Sequence, residues 1–252
     1  MLRRLFTARR PAERIRGRIP DGQRVYAVGD IHGRLDLLDT LLGLIEADRA
    51  AHAPAAVTIV FLGDLVDRGP DSAGVVERLR VLTRDGWTPR FLMGNHEEVF
   101  LAAMAGDEKA LRLFCRIGGR ETMLSYGMSA DAYETADYPG VAAALAALVP
   151  PEHRAFLERF DTMVTIGDYA FVHAGVRPGV PLADQRGTDL RWIRDPFLDH
   201  PEPLEKIIVH GHTILEEVAY RPHRIGIDTG AYQNGRLTAL ALEGDEDWLL
   251  QT

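Results

Sequence analysis

Short apolar runs alternate with helical periodicity from residue 24 onward. Residues 25–28, 57–62 and 90–93 are β-type runs, and each is followed by glycine and then aspartate or asparagine. After the first run, leucines and one isoleucine recur at three- and four-residue spacing from Leu35 to Ile45, which is typical of an amphipathic helix. Residues 71–85 have the pattern of a second helix. This order predicts parallel strands joined by helical crossovers.

The middle of the chain, at about residues 97–160, is helical in character, and the pattern becomes β-rich after residue 161. Candidate strands there are residues 163–166, 170–172, 207–209, 224–227 and 237–242. No internal repeat or low-complexity linker interrupts the pattern. We therefore expect a basic arm at 1–22 and one α/β domain at 23–252, with a helical insertion at about 97–160.

Charge is distributed unevenly along the chain. The net charge is −8, but residues 1–20 hold seven arginines against one glutamate, a net of +6 that leaves −14 on the rest. An acidic body makes a nucleic-acid partner unlikely. The single cysteine, Cys115, excludes an internal disulfide. With no secretory signal and no apolar run of about 20 residues, we expect a cytoplasmic protein without a transmembrane segment.

Polar motifs stand at the ends of five predicted strands. They are GDIHG (29–33), GDLVDRG (63–69), GNHE (94–97), HAG (173–175) and HGHT (210–213). Side chains just beyond the carboxyl ends of strands in an α/β sheet converge on one crevice. Each motif alone could be an ordinary turn, helix cap or core histidine, but their joint occurrence predicts one site. Its candidate metal ligands are Asp30, His32, Asp64, Asn95, His173 and His212.

These donors are oxygen atoms and imidazole nitrogens, which suit Mn²⁺, Fe or Zn²⁺. Six side chains are too many for one ion with an open position, but they fit two divalent ions that share a carboxylate. Two ions about 3.5–4 Å apart can hold a hydroxide for in-line attack on phosphorus. His96 could then protonate the leaving oxygen while Asp67 orients its ring. Arg68 and a second arginine could grip the phosphate.

Together the five motifs resemble the calcineurin-like metallophosphoesterase superfamily, specifically the bacterial and phage-type serine/threonine phosphatases of its phosphoprotein phosphatase branch. The resemblance spans about residues 25–242 and implies a two-sheet β-sandwich flanked by helices. It also implies two metal sites bridged by Asp64, the first with Asp30 and His32. The second would add Asn95, His173 and His212.

The resemblance further implies roles around the metals. His96 would be the general acid, paired with Asp67, and Arg68 would contact phosphate. The second phosphate arginine matches Arg194 best, with Arg177 and Arg191 as weaker candidates. His210 stands at a position that is not usually a ligand.

The sequence departs from the family where substrates are chosen. Met93 replaces an arginine that many relatives have before GNHE, and the C-terminal aromatic loop of the eukaryotic phosphatases has no counterpart. Instead, GIDTGA (226–231) is similar to bacterial and phage-type members and to symmetrical dinucleoside tetraphosphate hydrolases.

Three functions follow from these features. The first is a Mn²⁺-dependent phosphatase for phosphoserine or phosphothreonine in proteins, with small phosphoesters as further substrates. The alternative is a symmetrical dinucleoside polyphosphate hydrolase, for which Tyr126, Tyr133, Tyr138 or Trp192 could stack on a base. A non-catalytic binding protein is disfavoured, because no candidate ligand is missing. The insertion would either cap the site or complete the core.

Overall fold

The computed structural model describes residues 17–83 and 85–252. The strands in that part of the chain are β1 Gln23–Val28, β2 Ala56–Phe61, β3 Trp87–Phe91, β4 Met163–Ile166, β5 Tyr169–Val172, β6 Ile207–His210, β7 Ala219–Arg221, β8 Arg224–Gly226, β9 Thr238–Glu243 and β10 Glu246–Gln251. They form two five-stranded sheets, with the orders β10-β9-β1-β2-β3 and β4-β5-β6-β8-β7.

Helices cover the outer faces of the two sheets. They are α1 Leu35–Ala51, α2 Ser72–Arg80, α3 Asn95–Met104, α4 Glu108–Ile117, α5 Gly119–Ser125, α6 Ala130–Thr135, α7 Tyr138–Leu148, α8 Pro151–Leu157, α9 Gly187–Trp192, α10 Asp195–Leu198 and α11 Ala231–Asn234. A short 3₁₀ turn spans Leu182–Asp184. Helices α3–α8 form the segment that the sequence predicts as a helical insertion.

The apolar side chains form three layers. In β1, Val25 and Ala27 point into the layer between the sheets, whereas Tyr26 and Val28 point toward the helices. This alternation is the period of two expected of a strand that is buried on both faces. A third layer lies between the second sheet and α9–α10, around Phe197. The expected α/β architecture, a two-sheet sandwich flanked by helices, is confirmed.

Each sheet contains three parallel neighbours. In the first sheet β1 pairs with β2 and β2 with β3, all parallel, as the crossover pattern predicts. In the second sheet β5, β6 and β8 are parallel in the same way. The carboxyl ends of parallel strands lie at one edge of a sheet, so each sheet presents one edge that carries several strand-end loops.

Some element boundaries differ from the prediction. The helix expected at 71–85 is shorter and spans only α2. It begins at Ser72 because Asp71 is its N-cap and accepts a hydrogen bond from the Gly74 N–H. Strand β3 lies earlier than residues 90–93 and contains Pro89, which is tolerated because β3 is an edge strand. Strands β7 and β10 were not predicted. Both are edge strands, and β10 is the less buried partner of β9.

Residues 1–16 of the predicted basic arm lie outside the described part of the chain. Of the remaining arm residues, Ile19 is fully buried in the layer between the sheets. Its N–H donates to the Gly244 carbonyl at 2.8 Å. No helix that the structure describes is both long and apolar enough to cross a membrane.

Phe100 tests the packing between helices α3 and α4 of the insertion. It is fully buried and stacks on Phe114, with ring centroids 5.4 Å apart. We expect Phe100→Ala to lower the free energy of unfolding by about 3–5 kcal/mol, because it leaves a cavity. Urea denaturation measures this loss. The control Val81→Ala, at a side chain 47% exposed, should change stability by only about 0.5 kcal/mol. A loss of less than about 1 kcal/mol for Phe100→Ala would contradict this packing.

Candidate active site

The strand-end loops of both sheets meet at one place. The first sheet supplies side chains that follow β1, β2 and β3, and the second supplies side chains that follow β5 and β6. The predicted metal ligands in these loops are at most 9% exposed: Asp30, His32, Asp64, Asn95, His173 and His212. The sandwich therefore brings the predicted ligands together and buries them.

The backbone is strained in these loops. Among the described residues, five non-glycine residues adopt a left-handed conformation: His32 (φ 46°), Asp64 (φ 50°), Asp67 (φ 72°), Arg68 (φ 71°) and His212 (φ 64°). All five are predicted site residues. Such conformations cost on the order of 1–3 kcal/mol each and persist only where surrounding contacts hold them. Strain is concentrated where the sequence places the chemistry.

Asp64 lies at the centre of the cluster. Its Oδ2 is 3.6 Å from Nε2 of His32 and 3.9 Å from Nε2 of His96. Its Oδ1 is 3.4 Å from Nε2 of His173. One carboxylate thus faces two groups of donors, His32–Asp64–His96 and Asp64–His173–His212, and the donor atoms of each group lie within 4.8 Å of one another.

Two of the histidines are oriented by main-chain carbonyls. His32 Nδ1 lies 2.8 Å from the Val66 carbonyl oxygen, and His173 Nδ1 lies 2.9 Å from that of Leu62. Because a carbonyl only accepts, Nδ1 donates in both rings, and Nε2 of each is directed at Asp64. An imidazole lone pair that faces a carboxylate requires a positive charge nearby, which can be a proton, a metal ion or, for His32 in this structure, the Arg68 guanidinium.

The pKa values of His173 and His212 are shifted in opposite directions. Burial alone would lower the pKa of His173, but the charge of Asp64 outweighs it and raises the pKa to about 10. Burial lowers the pKa of His212 to about 3. His212 Nδ1 is 2.9 Å from Asn95 Oδ1, and its buried Nε2 has no hydrogen-bond partner among residues 17–83 and 85–252. Carboxylate and amide oxygens with imidazole nitrogens therefore fit divalent cations.

Asp30 sits differently from the other predicted ligands. Its carboxylate accepts the main-chain N–H of His212 at 3.0 and 3.2 Å, and it belongs to neither donor group. Burial, followed by the negative charge of Asp228, raises the pKa of Asp30. Asp228, only 2% exposed, was not among the predicted site residues. It follows the parallel strand β8, so the strand-end argument that found the other acids could have found it as well.

His96 and Asp67 form the predicted pair. His96 Nδ1 lies 2.7 Å from Asp67 Oδ2, and both side chains are buried. Burial works to lower the pKa of His96, but the charges of Asp64 and Asp67 outweigh it, so the pKa is raised. The Arg68 guanidinium donates to Nε2 of His96 at 2.9 Å and to Nε2 of His32 at 3.0 Å. It therefore lies across the mouth of the first donor group.

The three candidates for a second phosphate arginine have different environments. Arg177 is paired with Asp189 at 2.6 Å, and Arg191 with Glu98 at 2.6 Å. Arg194 makes only two long hydrogen bonds, of 3.4 Å each, to the His212 carbonyl and the Thr213 hydroxyl. No described carboxylate forms an ion pair with it. Of the three, Arg194 is the guanidinium that lies beside the histidine cluster without a competing anion.

Two aromatic side chains lie beside the metal-ligand cluster. The Trp192 ring is 6.5 Å from that of His212, and the Tyr232 ring is 5.3 Å from that of His32. The Arg68 guanidinium lies 4.9 Å above the Tyr232 ring. Tyr232 was not predicted to contribute, although it directly follows the GIDTGA motif.

The other predicted aromatics lie in the insertion. Tyr126 is hydrogen-bonded to His153, and Tyr133 packs against the core of the first sheet and its helices. Tyr138 lies beneath Arg112. These contacts tie all three rings to the insertion, and only Trp192 of the four predicted aromatics contacts a candidate ligand.

An open depression of about 660 Å³ lies next to Arg68 and Tyr232. Its wall also contains Arg34, which donates to both oxygens of Asp36, and Asp71. The depression carries charges of both signs and one aromatic ring. It can accept a group larger than a single phosphate.

Glu97 organises the loop that carries Asp64. Its buried carboxylate accepts the main-chain N–H groups of Asp64 at 2.8 Å, Leu65 at 2.7 Å and Gly94 at 3.0 Å. A side chain at residue 94 would collide with Asp64 Oδ1, so glycine is required there. From the sequence, Glu97 is only the last residue of the GNHE motif. Its role is visible only once the two loops are seen together.

The chain belongs to the calcineurin-like phosphoesterase family, whose model matches residues 23–237. Two solved structures show the same fold. A protein described provisionally as a diadenosine tetraphosphatase superimposes with a TM-score of 0.61 at 23% identity, over 94% of both chains. A cold-active protein-tyrosine phosphatase from a Shewanella species superimposes with a TM-score of 0.57 at 18% identity, over 93% of this chain and 82% of that one.

Curated relatives carry two different names. A symmetrical bis(5'-nucleosyl)-tetraphosphatase of Paracidovorax citrulli is 31% identical over 176 residues, which cover 70% of this chain and 48% of that protein. Another, from Ralstonia nicotianae, is 37% identical over 98 residues, 39% and 29% of the two chains. Serine/threonine-protein phosphatase 1 of Salmonella typhimurium is 37% identical over 91 residues, 36% and 38%. The chain spans less than half the length of each of these relatives.

Glu97→Gln tests the Asp64 loop. The amide places an NH₂ group against main-chain N–H donors, so we expect the free energy of unfolding to fall by about 1–3 kcal/mol, as measured by urea denaturation. Glu134→Gln is the matched control, because Glu134 forms only an exposed ion pair with Arg120 and should cost at most about 1 kcal/mol. Equal losses in the two variants would show that the Glu97 contacts add nothing special to the loop.

Proposed function

We propose that the protein is a metal-dependent phosphoesterase that uses water to hydrolyse a phosphate ester or anhydride. The observation that carries this proposal is the position of Asp64, whose two carboxylate oxygens face two separate groups of histidines. A shared carboxylate between two donor groups is the arrangement expected for a pair of divalent ions. Family membership supports the same conclusion.

The proposed ligands of the two ions are those expected from the sequence: Asp30, His32, Asp64, Asn95, His173 and His212. Mn²⁺ is the favoured ion, with Fe or Zn²⁺ as alternatives, because the donors are oxygen and imidazole nitrogen. Bound ions would supply Lewis-acid stabilisation of phosphoryl oxygens and lower the pKa of water. Asp228, which lies against Asp30, would keep negative charge next to that ligand.

Around the ions, the chain supplies the proton and the phosphate clamp. His96 is held through Nδ1 by Asp67, so its Nε2 points into the site. Nε2 accepts from Arg68 in this structure, so it would carry a proton for the leaving oxygen once Arg68 turns to the phosphate. Arg68 lies within reach of the same space and can donate two parallel hydrogen bonds to phosphoryl oxygens. Arg194, next to His212, is the proposed second donor.

For the substrate we favour a dinucleoside polyphosphate over the phosphoprotein preferred from the sequence. Several curated relatives are named symmetrical tetraphosphatases. The depression beside Arg68 and Tyr232 could hold a nucleoside next to a phosphate bound at the ions. Phosphoserine or phosphothreonine in proteins is the second candidate, supported by the Salmonella relative.

A competition between the two substrate classes tests this choice. Purified protein with Mn²⁺ is assayed on diadenosine tetraphosphate and on a panel of phosphoserine and phosphothreonine peptides. We expect kcat/KM to favour the dinucleotide by at least about tenfold, a difference of about 1.4 kcal/mol. ADP should be the only nucleotide product, because cleavage is symmetrical.

Asp64→Asn is the control for that assay. It should abolish activity and reduce the content of both metals, since Asp64 is proposed to bridge them. A peptide preference of similar size would make the protein phosphatase the correct function. Asp64→Asn protein that kept its activity would refute the two-metal site.

The role of His96 is tested separately. We expect His96→Asn to keep its metal content and to lower kcat by about 10²–10⁴ on phenyl phosphate, whose leaving group needs a proton. The loss should be smaller on 4-nitrophenyl phosphate, whose leaving group departs without one. His52→Asn, at an exposed helix end, should leave both rates unchanged. Loss of metal from His96→Asn would show that His96 is a metal ligand and not the general acid. His96 belongs to the first donor group, so this outcome is a real alternative.

A further inference from the structure

Asp67, the partner of His96, is itself held by the helical insertion. Its Oδ2 lies 2.7 Å from His96 Nδ1, and its Oδ1 accepts a hydrogen bond of 2.7 Å from the Thr122 hydroxyl. Thr122 is on α5, 55 residues away in sequence, and its side chain is fully buried. The two oxygens of one carboxylate therefore connect the insertion to His96.

The hydrogen-bond donors around Thr122 follow if the Asp67 carboxylate is ionised. The Asp67 N–H donates to Thr122 Oγ1 and to Ser72 Oγ, at 2.9 Å each. Since ionised Asp67 Oδ1 can only accept, the single Thr122 proton is directed to it. The Ser72 hydroxyl, 2.9 Å from Thr122 Oγ1, then donates to Thr122. Thr122 thus grips both the main chain and the side chain of Asp67.

The residue that Thr122 holds has a strained backbone. Asp67 has a φ of 72°, and the following Arg68 has a φ of 71°. The insertion also holds Arg68, because the Arg68 N–H donates to the Gly118 carbonyl at 3.1 Å. A left-handed aspartate is unfavourable by itself and persists only where surrounding contacts such as these hold it. The junction between α4 and α5 therefore stabilises the conformation that aims Asp67 at His96.

We propose that Thr122 is a positioning residue of the phosphoesterase reaction: it fixes the Asp67 carboxylate and, through it, the direction in which His96 presents its proton. The proposal rests on the general-acid role of His96 proposed above. It gives the insertion a part in catalysis that neither a substrate cap nor a simple core element would have. Side chains that orient a group acting in the site typically change activity by about 10–100-fold when they are removed.

The experiment compares Thr122→Val, which keeps the shape and removes the hydroxyl, with Thr122→Ser, which keeps the hydroxyl. We expect Thr122→Val to retain its Mn²⁺ content and KM. Its kcat on phenyl phosphate should fall about 10–100-fold, with a much smaller loss on 4-nitrophenyl phosphate. Thr122→Ser should restore most of the rate. Thr135→Val is the matched control, since the Thr135 hydroxyl only contacts main-chain carbonyls of its own exposed helix.

A spectroscopic measurement covers the case in which Thr122→Val folds poorly or phenyl phosphate turns over too slowly. In wild-type protein, the His96 Nδ1 proton in its 2.7 Å contact with Asp67 should give a downfield ¹H NMR signal that His96→Asn removes. Ser72→Ala, which withdraws the support of the Thr122 hydroxyl, should shift or broaden this signal, and Thr122→Ser should preserve it.

The outcomes distinguish failure of the Thr122 proposal from failure of the general-acid role of His96. Equal rate losses on both phosphates, or an unchanged signal in Ser72→Ala, would overturn the role of Thr122 while the effects of His96→Asn persist. If His96→Asn itself shows no dependence on the leaving group, the general-acid role fails and the Thr122 proposal fails with it. A selective loss in Thr122→Val, restored by serine, supports the proposal.

Discussion

The structure depends on one buried carboxylate that is shared between two clusters of imidazoles. Asp64 is 2% exposed and lies within 4 Å of three histidine Nε2 atoms. Burying a carboxylate is costly unless positive charge and hydrogen bonds compensate for the lost water. The surroundings of Asp64 supply both, because the histidines face its oxygens and Glu97 holds its main chain. Much of the local architecture follows from keeping this group in place.

The sandwich explains how such a cluster can form. Each sheet has three parallel strands, and the edges that carry their carboxyl ends meet. A single sheet could present Asp30, Asp64 and Asn95, but not His173 and His212 on the opposite side of Asp64. The left-handed residues occur where the loops must turn side chains inward against the direction of the strand. The backbone strain in these loops therefore accompanies the placement of side chains from two sheets around the Asp64 carboxylate.

The candidate metal ligands could be predicted from the sequence because their signals are local. A glycine followed by an acid, asparagine or histidine after an apolar run can be recognised without knowing the fold. This pattern was enough to predict that the six candidate ligands lie close together. Glu97, Thr122 and Tyr232 were missed for the opposite reason. Each acts through a contact between segments far apart in the chain, and even Glu97, which belongs to the strand-end motif GNHE, contacts the Asp64 loop more than 30 residues away. Asp228 follows the end of β8, so the strand-end pattern does indicate it.

The predicted strand boundaries were wrong at the edge strands of the two sheets. The third strand begins before the predicted residues 90–93, because an edge strand can accommodate Pro89. The half-exposed strand β10 lacks a continuous apolar run because only one of its edges is paired. Substrate preference was harder still, since it depends on the shape of a surface rather than on any motif.

The two sides of the catalytic loop have different partners. On one side, α5 of the insertion contacts Asp67 and Arg68 through Thr122 and Gly118. On the other side is the depression, whose described wall is built from the start of α1, the loop from Arg68 to the α2 N-cap Asp71, and Tyr232 of α11, with no residue of α3–α8. The insertion therefore supports the residues that we propose act on the phosphate, on the side away from the depression. Recognition of whatever is attached to that phosphate would fall to α1, α2 and α11, so the two functions can vary independently on one scaffold.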